Sequence, residues 1–228
     1  MVFHSHPENA GRKVDNKSWQ TEPQQMILGQ TTMPYYLSLK PGSKLIGVRF
    51  YPHTINLFLP LESWQATNNP IDATYFNGLK DITSTLDFND PGQSILRLEQ
   101  RMAGLLNTKQ AQSTSQEYLD FSINFLTTYE GNGRIDELIH ALGISSSYLN
   151  RIFSKSVGLN PKLFNSILRF NTFHEIVRKN SEFNLTANST LAGFFDQAHL
   201  IHTFQRFANM TPSEYFRHRT SINDYFLR

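Results

Sequence analysis

The 228-residue sequence contains no cysteine, no long apolar run and no excess of charge of either sign. The absence of cysteine excludes a cysteine nucleophile, although it fits both a reducing and an oxidising compartment. The sequence has no run of about 18 apolar residues, which would predict a membrane helix. It also does not begin with a charged segment followed by an apolar one, which would predict a signal peptide. We therefore expect a soluble, cytoplasmic protein that has no contact with a membrane.

The near balance of charge also limits how the chain binds a polyanion. With 21 basic and 19 acidic residues, the formal net charge is only +2. Attraction to phosphate must therefore come from local clusters, such as Arg151 with Lys155 or Arg178 with Lys179. We expect modest nonspecific binding to nucleic acid.

Two stretches of the C-terminal half repeat each other at a fixed offset. The differences 200−149, 204−153, 210−159, 212−161 and 215−164 are each 51. They pair Leu149 with Leu200, Phe153 with Phe204, Leu159 with Met210, Pro161 with Pro212, and Phe164 with Tyr215. Each copy has an apolar helix face, a Gly or Asn suited to a left-handed stop, and a Pro in the first turn of the next helix. One supersecondary unit therefore occurs twice.

The residues before each copy predict a helix, a tight turn and a second helix. Apolar residues at spacings of three and four from Ile135 to Leu142 predict a helix that ends at Gly143. Ser145 is placed to cap the next helix, whose buried face is Tyr148, Leu149, Ile152 and Phe153. In the second copy, the turn is Gly193-Phe194. A small turn residue and a second helix with a free outer face are typical of a helix-turn-helix.

The second copy resembles the C-terminal signature of AraC/XylS-type transcription regulators. The residues that carry the resemblance are Gly193 to Leu200 (GFFDQAHL), Phe204-Gln205-Arg206, and Met210 to Tyr215 (MTPSEY). The resemblance covers the chain from about Gln116 to Arg217. It implies two helix-turn-helix units joined by a long helix, about Pro161 to Lys179, that bind successive major-groove segments roughly 34 Å apart. It also implies double-stranded DNA and RNA polymerase as partners.

The N-terminal half predicts a different structure. Short β-prone runs punctuated by Gly and Pro predict strands within Gln25 to Leu28, Pro34 to Leu39 and Lys44 to Tyr51, followed by helical patterns. Polar residues 107–115 predict a linker. We therefore expect an α+β protein with a sensor or dimerisation domain at 1–106 and an all-α DNA-binding domain at 116–228.

A weaker resemblance links the N-terminal half to the cupin-like sensor domain of one AraC subgroup. It rests on Trp19, Pro23, Gly29-Gln30 and the segment Leu45 to Phe50. The resemblance implies further strands before Val2, so we expect an N-terminally incomplete sheet with an open edge. A misassigned start, a truncated gene or dimerisation through that edge would each account for it. A small-molecule effector is a further implied partner.

The second helix of each helix-turn-helix unit contacts the bases, and we call it the reading helix. The reading helix of the first unit presents polar residues outward. Because Leu149, Ile152 and Phe153 point inward, the outward positions are Ser146, Ser147, Asn150, Arg151 and Ser154. The resemblance implies base contacts at Ser147, Asn150 and Arg151. Asn pairs with adenine and Arg with guanine through two hydrogen bonds, each pair worth about 1 to 3 kcal/mol of discrimination. The alternative is that these side chains only solvate the helix.

The second reading helix departs from the family pattern. The resemblance implies base contacts at Ala198, His199, Ile201 and His202. Arg is common in the family where this chain has His202, and a neutral imidazole gives less affinity for guanine or phosphate. Ile201 is suited to a thymine methyl, and Ala198 gives only shape. We expect weaker, more A·T-tolerant recognition, with a packing or phosphate-binding role as the alternative for His199.

Two further departures concern stability rather than recognition. Asn188 stands where the family usually has an apolar residue, and a buried amide without partners costs about 1 to 3 kcal/mol. Phe173 occupies a position that is usually small in the linker helix. Both departures predict a diverged second unit.

Phosphate contacts are expected from helix starts and from exposed polar or basic side chains. Pro161 and Pro212 begin helices whose free amides attract anions, with simple capping as the alternative. The candidate phosphate contacts are Ser146, Lys155, Lys162, Gln197, Gln205, Arg206 and Thr211.

No catalytic motif has comparable support. The sequence lacks a phosphate loop and a Gly-x-Ser-x-Gly elbow, so we expect no enzyme and no cofactor. His4, His6 and His53 are the only candidate metal ligands, and no carboxylate follows at a matching spacing. The sequence thus predicts a sequence-specific transcription regulator. The alternative is a ligand-binding or interaction protein of the same fold whose degenerate second helix-turn-helix no longer recognises DNA.

Overall fold

The protein has an α+β fold in which short antiparallel strands precede a helical region. The computed structural model describes residues 1–14, 18–179 and 184–217. The chain divides into two compact units. The N-terminal unit comprises Met1–Thr31, Tyr35–Leu119 and Arg151–Leu159, and the C-terminal unit comprises Thr32–Pro34, Asp120–Asn150 and the described residues from Asn160 onward. Residues 218–228 of the predicted DNA-binding domain lie outside the described residues.

The described part of the N-terminal half contains seven short strands. They are β1 (Val2–His4), β2 (Ala10–Lys13), β3 (Gln20–Thr21), β4 (Gln25–Ile27), β5 (Tyr36–Leu39), β6 (Leu45–Gly47) and β7 (Ile71–Asp72). One sheet has the order β6-β1-β4-β7 and the other β3-β2-β5, with antiparallel pairing throughout. The first strand, β1, thus lies inside its sheet and pairs on both sides.

The helices of this half are short until residue 91. Single-turn 3-10 helices span Pro7–Asn9, Ile55–Leu57, Ser63–Ala66, Ala73–Tyr75 and Thr83–Thr85. They are followed by α1 (Pro91–Leu105) and α2 (Thr108–Ala111), the second of which lies within the predicted linker. Asp90 caps α1 by accepting a hydrogen bond from Gln93 N at 3.1 Å. Leu98 and Met102 of α1 join the apolar core that also contains Phe3 and Ile27.

Seven further helices complete the described chain. They are α3 (Thr114–Thr128), α4 (Ile135–Leu142), α5 (Ser146–Val157), α6 (Pro161–Lys179), α7 (Leu185–Leu191), α8 (Gln197–Ala208) and α9 (Pro212–Arg217). The predicted linker helix from Pro161 to Lys179 is confirmed by the bounds of α6. No helix within the described ranges is long and apolar enough to cross a membrane.

Aromatic packing forms the core of the C-terminal unit. Phe173 of α6 is fully buried. It stands at a position where the family pattern usually has a smaller residue. Its ring lies 5.4 Å from that of Phe204 and 6.1 Å from that of Phe194. Tyr215 of α9 closes the same cluster, 5.6 Å from Phe204. Edge-to-face rings therefore join α6, α8 and α9 around Phe204.

Candidate nucleic-acid interface

The first helix pair, α4 and α5, is joined by a turn of three residues. Gly143 takes a left-handed conformation with φ 63°, and its N–H donates to His140 O at 3.2 Å. Ile144 N donates to Ile139 O at 3.4 Å. Ser145 Oγ then accepts a hydrogen bond from Tyr148 N at 3.2 Å, which confirms Ser145 as the cap of α5. Satisfying these terminal groups fixes where one helix ends and the next begins.

The second helix pair, α7 and α8, also has a left-handed glycine and a capping side chain, which are one residue further apart than in the first pair. Gly193 has φ 79°, and Phe194 N donates to Ser189 O at 3.0 Å. Asp196 caps α8 by accepting a hydrogen bond from His199 N at 2.6 Å. Two residues, Phe194 and Phe195, separate the glycine from the cap, whereas Ile144 alone does so in the first pair.

The outward face of α5 carries the predicted base contacts. Ser146, Ser147, Asn150 and Arg151 are exposed, and the inward residues predicted from periodicity, Leu149, Ile152 and Phe153, are buried. Asn150 Nδ2 lies 3.5 Å from Ser146 Oγ, one turn earlier. This face therefore offers hydroxyl, amide and guanidinium groups to a ligand.

The last turn of α5 is held by residues of the 3-10 segment 55–67, within the N-terminal unit. Asn56 Nδ2 donates to Ser156 Oγ at 3.0 Å, and Ser63 Oγ donates to Ser156 O at 2.7 Å. Both bonds are buried. Thr67 Oγ1 donates to Gly158 O at 3.0 Å. These bonds satisfy carbonyls that a helix end otherwise leaves open.

Gly158 allows this close approach. Its φ is 86°, a left-handed conformation that favours glycine. A Cβ at this position would collide with Thr67 Oγ1 and lie 2.9 Å from Ser63 O. Glycine is thus favoured at residue 158 both by the left-handed backbone and by the close approach of Ser63 and Thr67.

Lys155, a predicted phosphate contact, already has an anionic neighbour. Its Nζ lies 3.5 Å from Glu62 Oε1, and Trp64 Nε1 donates to Glu62 Oε2 at 2.7 Å. The hydrogen bond from Trp64 and the charge of Lys155 both hold the pKa of the Glu62 carboxyl below its ordinary value. All three side chains are about half exposed, so the ion pair contributes little to stability.

The outward face of α8 differs from that of α5. Ala198, Ile201, His202, Gln205 and Arg206 are exposed. His199 is half-buried, with its ring 5.2 Å from that of Phe194. Burial, and then the charges of Arg169 and His202, lower the pKa of His199, while Asp196 opposes the shift. The half-buried ring of His199 thus packs against Phe194.

Two other predicted phosphate contacts have partners within the chain. Gln197 Nε2 donates to Thr186 Oγ1 of α7 at 2.8 Å. Thr211 N and Oγ1 both donate to Glu214 Oε2, at 2.8 and 2.7 Å, which is a capping arrangement at the start of α9. Lys162 is exposed beside Pro161, and Arg206 lies 5.7 Å from the Phe207 ring.

Asn188 lies in the interior, as the comparison with the family pattern anticipated. It is 2% exposed, at the centre of α7. Asn184 caps this helix by accepting a hydrogen bond from Ala187 N at 3.0 Å. The cap offsets part of the low helix propensity of a segment rich in Ser, Thr and Asn.

The histidines near the sheet each have a carboxylate partner that spacing did not predict. His4 Nε2 lies 3.1 Å from Glu22 Oε2, with both side chains buried, and His6 Nδ1 lies 3.3 Å from Glu8 Oε1 at the surface. Among the described residues, no three of His, Cys, Asp or Glu form a group that could hold a metal ion. The nearby Arg12 is also buried and stacks 4.3 Å from the Tyr35 ring. Burial raises the pKa of Tyr35, an effect that Arg12 opposes.

Comparison with known proteins bears on the region of the two helix pairs. Residues 138–218 match the family model described as a helix-turn-helix domain. The matched range includes α5 to α9 and most of α4. The match supports an AraC-like DNA-binding domain, with DNA as its partner. No curated protein and no solved structure matches the chain.

Proposed function

We propose that this protein is a sequence-specific transcription regulator that binds duplex DNA through two helix-turn-helix units. The units are α4 with α5 and α7 with α8, and α6 connects them. The observation that carries the proposal is the helix-turn-helix match at 138–218, which extends over both pairs. The equivalent caps, Ser145 and Asp196, support the same assignment for each pair.

The exposed residues of the two reading helices are the proposed base contacts. In α5 they are Ser147, Asn150 and Arg151, and in α8 they are Ala198, Ile201 and His202. His199 is a further proposed base contact of α8, with packing against Phe194, 5.2 Å from its ring, or phosphate binding as the alternative. The amide and guanidinium groups of α5 favour hydrogen-bonded readout of adenine and guanine.

The proposed phosphate contacts separate into two groups. Ser146, Lys162, Gln205 and Arg206 are exposed at or near the reading helices. Lys155, Gln197 and Thr211 would have to exchange an intramolecular partner for a phosphate. The first group is therefore expected to contribute more to the salt dependence of binding.

The N-terminal half is proposed to sense a ligand or to dimerise. The same proposal includes a linker at residues 107–115, between this half and the DNA-binding domain, and a cupin-like fold for this half. The buried pair of His4 and Glu22 supports a sensor role, and the exposed Ile95 and Leu96 on α1 support a homodimer. Contact with RNA polymerase follows from the proposed role as a regulator.

Selection of bound sequences from a random duplex pool tests the proposal. The full chain would be compared with Arg151→Ala and His202→Ala, with Arg101→Ala on α1 as a control for loss of an exposed cation. We expect an enriched motif with two boxes about one turn apart, each box degraded by one of the two substitutions. The control should retain the wild-type motif.

The other outcomes favour the alternative. A single box, lost only with Arg151→Ala, would mean that the second unit no longer recognises DNA. Failure to enrich any motif, together with weak salt dependence of nonspecific binding, would favour an interaction protein of AraC-like fold. A slope of log affinity against log salt near zero would itself exclude a phosphate-based mode.

A further inference from the structure

The second reading helix carries apolar residues where the first carries polar ones. By the 51-residue offset of the repeat, Ala198 is equivalent to Ser147 and Ile201 is equivalent to Asn150. Both residues of α8 are exposed, as their counterparts on α5 are. Folding of the helix does not require apolar side chains at these positions, because the buried face is made by Leu200, Thr203 and Phe204.

Phe195 extends this apolar surface at the start of α8. It is the additional residue of the second turn, and it directly precedes the cap Asp196. An apolar residue before a helix cap commonly packs against the fourth helical residue, which here is Leu200. Phe195 is instead 92% exposed, while Phe194 is buried in the core cluster with Leu200. The ring of Phe195 is therefore open to contact by a ligand at the start of the second reading helix.

The polar side chains next to Phe195 are occupied within the chain. The Asp196 carboxylate accepts the hydrogen bond from His199 N, and the Gln197 amide donates to Thr186. These bonds hold both side chains against the chain itself, Asp196 at the start of α8 and Gln197 toward α7. The other exposed side chains at the start of α8 are apolar, and they are Phe195, Ala198 and Ile201.

We infer that Phe195, together with Ala198 and Ile201, contacts the C5-methyl groups of thymines in the major groove. The C5-methyl of thymine is the apolar group on the major-groove edge of a base pair, and Ala and Phe are side chains that contact it. The inference rests on the proposed function, and the position of the three residues on and beside a reading helix connects them to that interface. Methyl groups thus contribute to the sequence preference of the box bound by α8, beside His202, whereas the box bound by α5 is specified by hydrogen bonds.

Replacement of thymine by deoxyuridine tests the inference, because it removes the methyl and keeps every hydrogen-bonding group. Affinity of the full chain would be measured for the selected duplex with uracil in the α8 box, and separately with uracil in the α5 box. We expect about a three- to fivefold loss for each contacted thymine of the α8 box, from the burial of one methyl group. The α5 box should change less than twofold.

A matched pair of variants identifies the side chain. Phe195→Ala is expected to lose about tenfold in affinity for the thymine duplex and to reduce the difference between thymine and uracil, since Ala198 and Ile201 keep their contacts. Tyr75→Ala, which removes another exposed aromatic, should behave as the wild type. Thermal denaturation of both variants should match the wild type, since neither side chain is buried.

The failures of the two proposals are distinguishable. If a two-box motif is enriched but uracil binds as well as thymine, or if Phe195→Ala weakens both duplexes equally, the methyl contact is wrong and the proposed function stands. If only the α5 box is enriched, DNA binding stands and recognition by α8 is wrong. If no motif is enriched, both proposals are wrong, and Phe195 is left as part of a protein-binding surface.

Discussion

The helices α5 and α8 occupy equivalent places in the repeat, but they differ in what holds them and in what they expose. The end of α5 is bonded by Asn56, Ser63 and Thr67, and its outer face is polar. The corresponding end of α8 stops at Asn209, in the left-handed conformation with φ 54°, and its outer face is partly apolar. The repeated backbone depends on caps and turns, whereas the outer surface is independent of them and can diverge.

Exchanging the two helix-end residues should give the largest effect. Gly158→Asn introduces the residue that the second copy has at the same place, and Asn tolerates the left-handed backbone. Its Cβ would collide with Thr67 and press on the Ser63 backbone, so we expect the free energy of unfolding to fall by about 3 kcal/mol. Chemical denaturation measures it.

The reciprocal substitution is the control. Asn209→Gly should change the free energy of unfolding by less than about 1 kcal/mol, because only backbone strain and chain entropy change. Equal effects of the two substitutions would mean that the contacts around Gly158 do not constrain the end of α5.

The two turn glycines provide the next comparison. A Cβ at Gly193 would collide with the Asn132 side chain, whereas a Cβ at Gly143 would meet nothing within 4 Å. Both substitutions to alanine strain a left-handed backbone by about 1 kcal/mol, and Gly193→Ala must also displace Asn132. We therefore expect Gly193→Ala to cost about 2 kcal/mol, roughly twice the cost of Gly143→Ala. Parallel thermal melts that show Gly143→Ala to be the more damaging would contradict this order.

Removing the helix caps should have a smaller effect. Asp196→Ala removes a charged acceptor 2.6 Å from His199 N, and Ser145→Ala removes a neutral one 3.2 Å from Tyr148 N. A carboxylate at a helix start also interacts with the helix dipole. We expect a loss of about 1 kcal/mol for Asp196→Ala and about 0.5 kcal/mol for Ser145→Ala. Asp196→Asn keeps the acceptor and should restore most of the loss in urea denaturation.

The smallest expected effect is a pH dependence of the free energy of unfolding that comes from His199 of α8. The pKa of His199 is lowered in the folded protein, chiefly by burial and further by Arg169 and His202, with Asp196 opposing. The unfolded chain therefore takes up a proton more readily, and stability is lost as the pH falls through the ordinary histidine pKa of about 6.5. Between about pH 7 and 5.5, His199→Gln should show a shallower fall in unfolding free energy than the wild type. Identical slopes would show that His199 has the same pKa in both states.

The features that the sequence predicted correctly are local ones. The start of α6 follows from Pro161 in its first turn, and the cap at Ser145 follows from its position after Gly143. The exposed and buried sides of α5 also agree with the periodicity. Each of these depends on residues within a few positions of one another, where propensity and capping decide the conformation.

The features that the sequence did not reveal depend on distant residues or on an exception to a rule. Asn56 and Ser156 are 100 positions apart, and no local pattern pairs them. His4 and Glu22 meet because neighbouring elements of the sheet region bring them together, not because of a ligand spacing. Phe195 is the exception to a rule, because a phenylalanine is ordinarily buried and this one is 92% exposed. The cupin-like resemblance of the N-terminal half and the base contacts remain predictions.

The indole of Trp64 has a use beyond structure. The chain has two tryptophans, and Trp64 Nε1 donates to the same Glu62 carboxylate that pairs with Lys155 near the end of α5. With Trp19→Phe as background, the emission of Trp64 comes from a single fluorophore that is one carboxylate away from the first reading helix. Titration with DNA or with candidate ligands would therefore report on that helix end optically, without an added label.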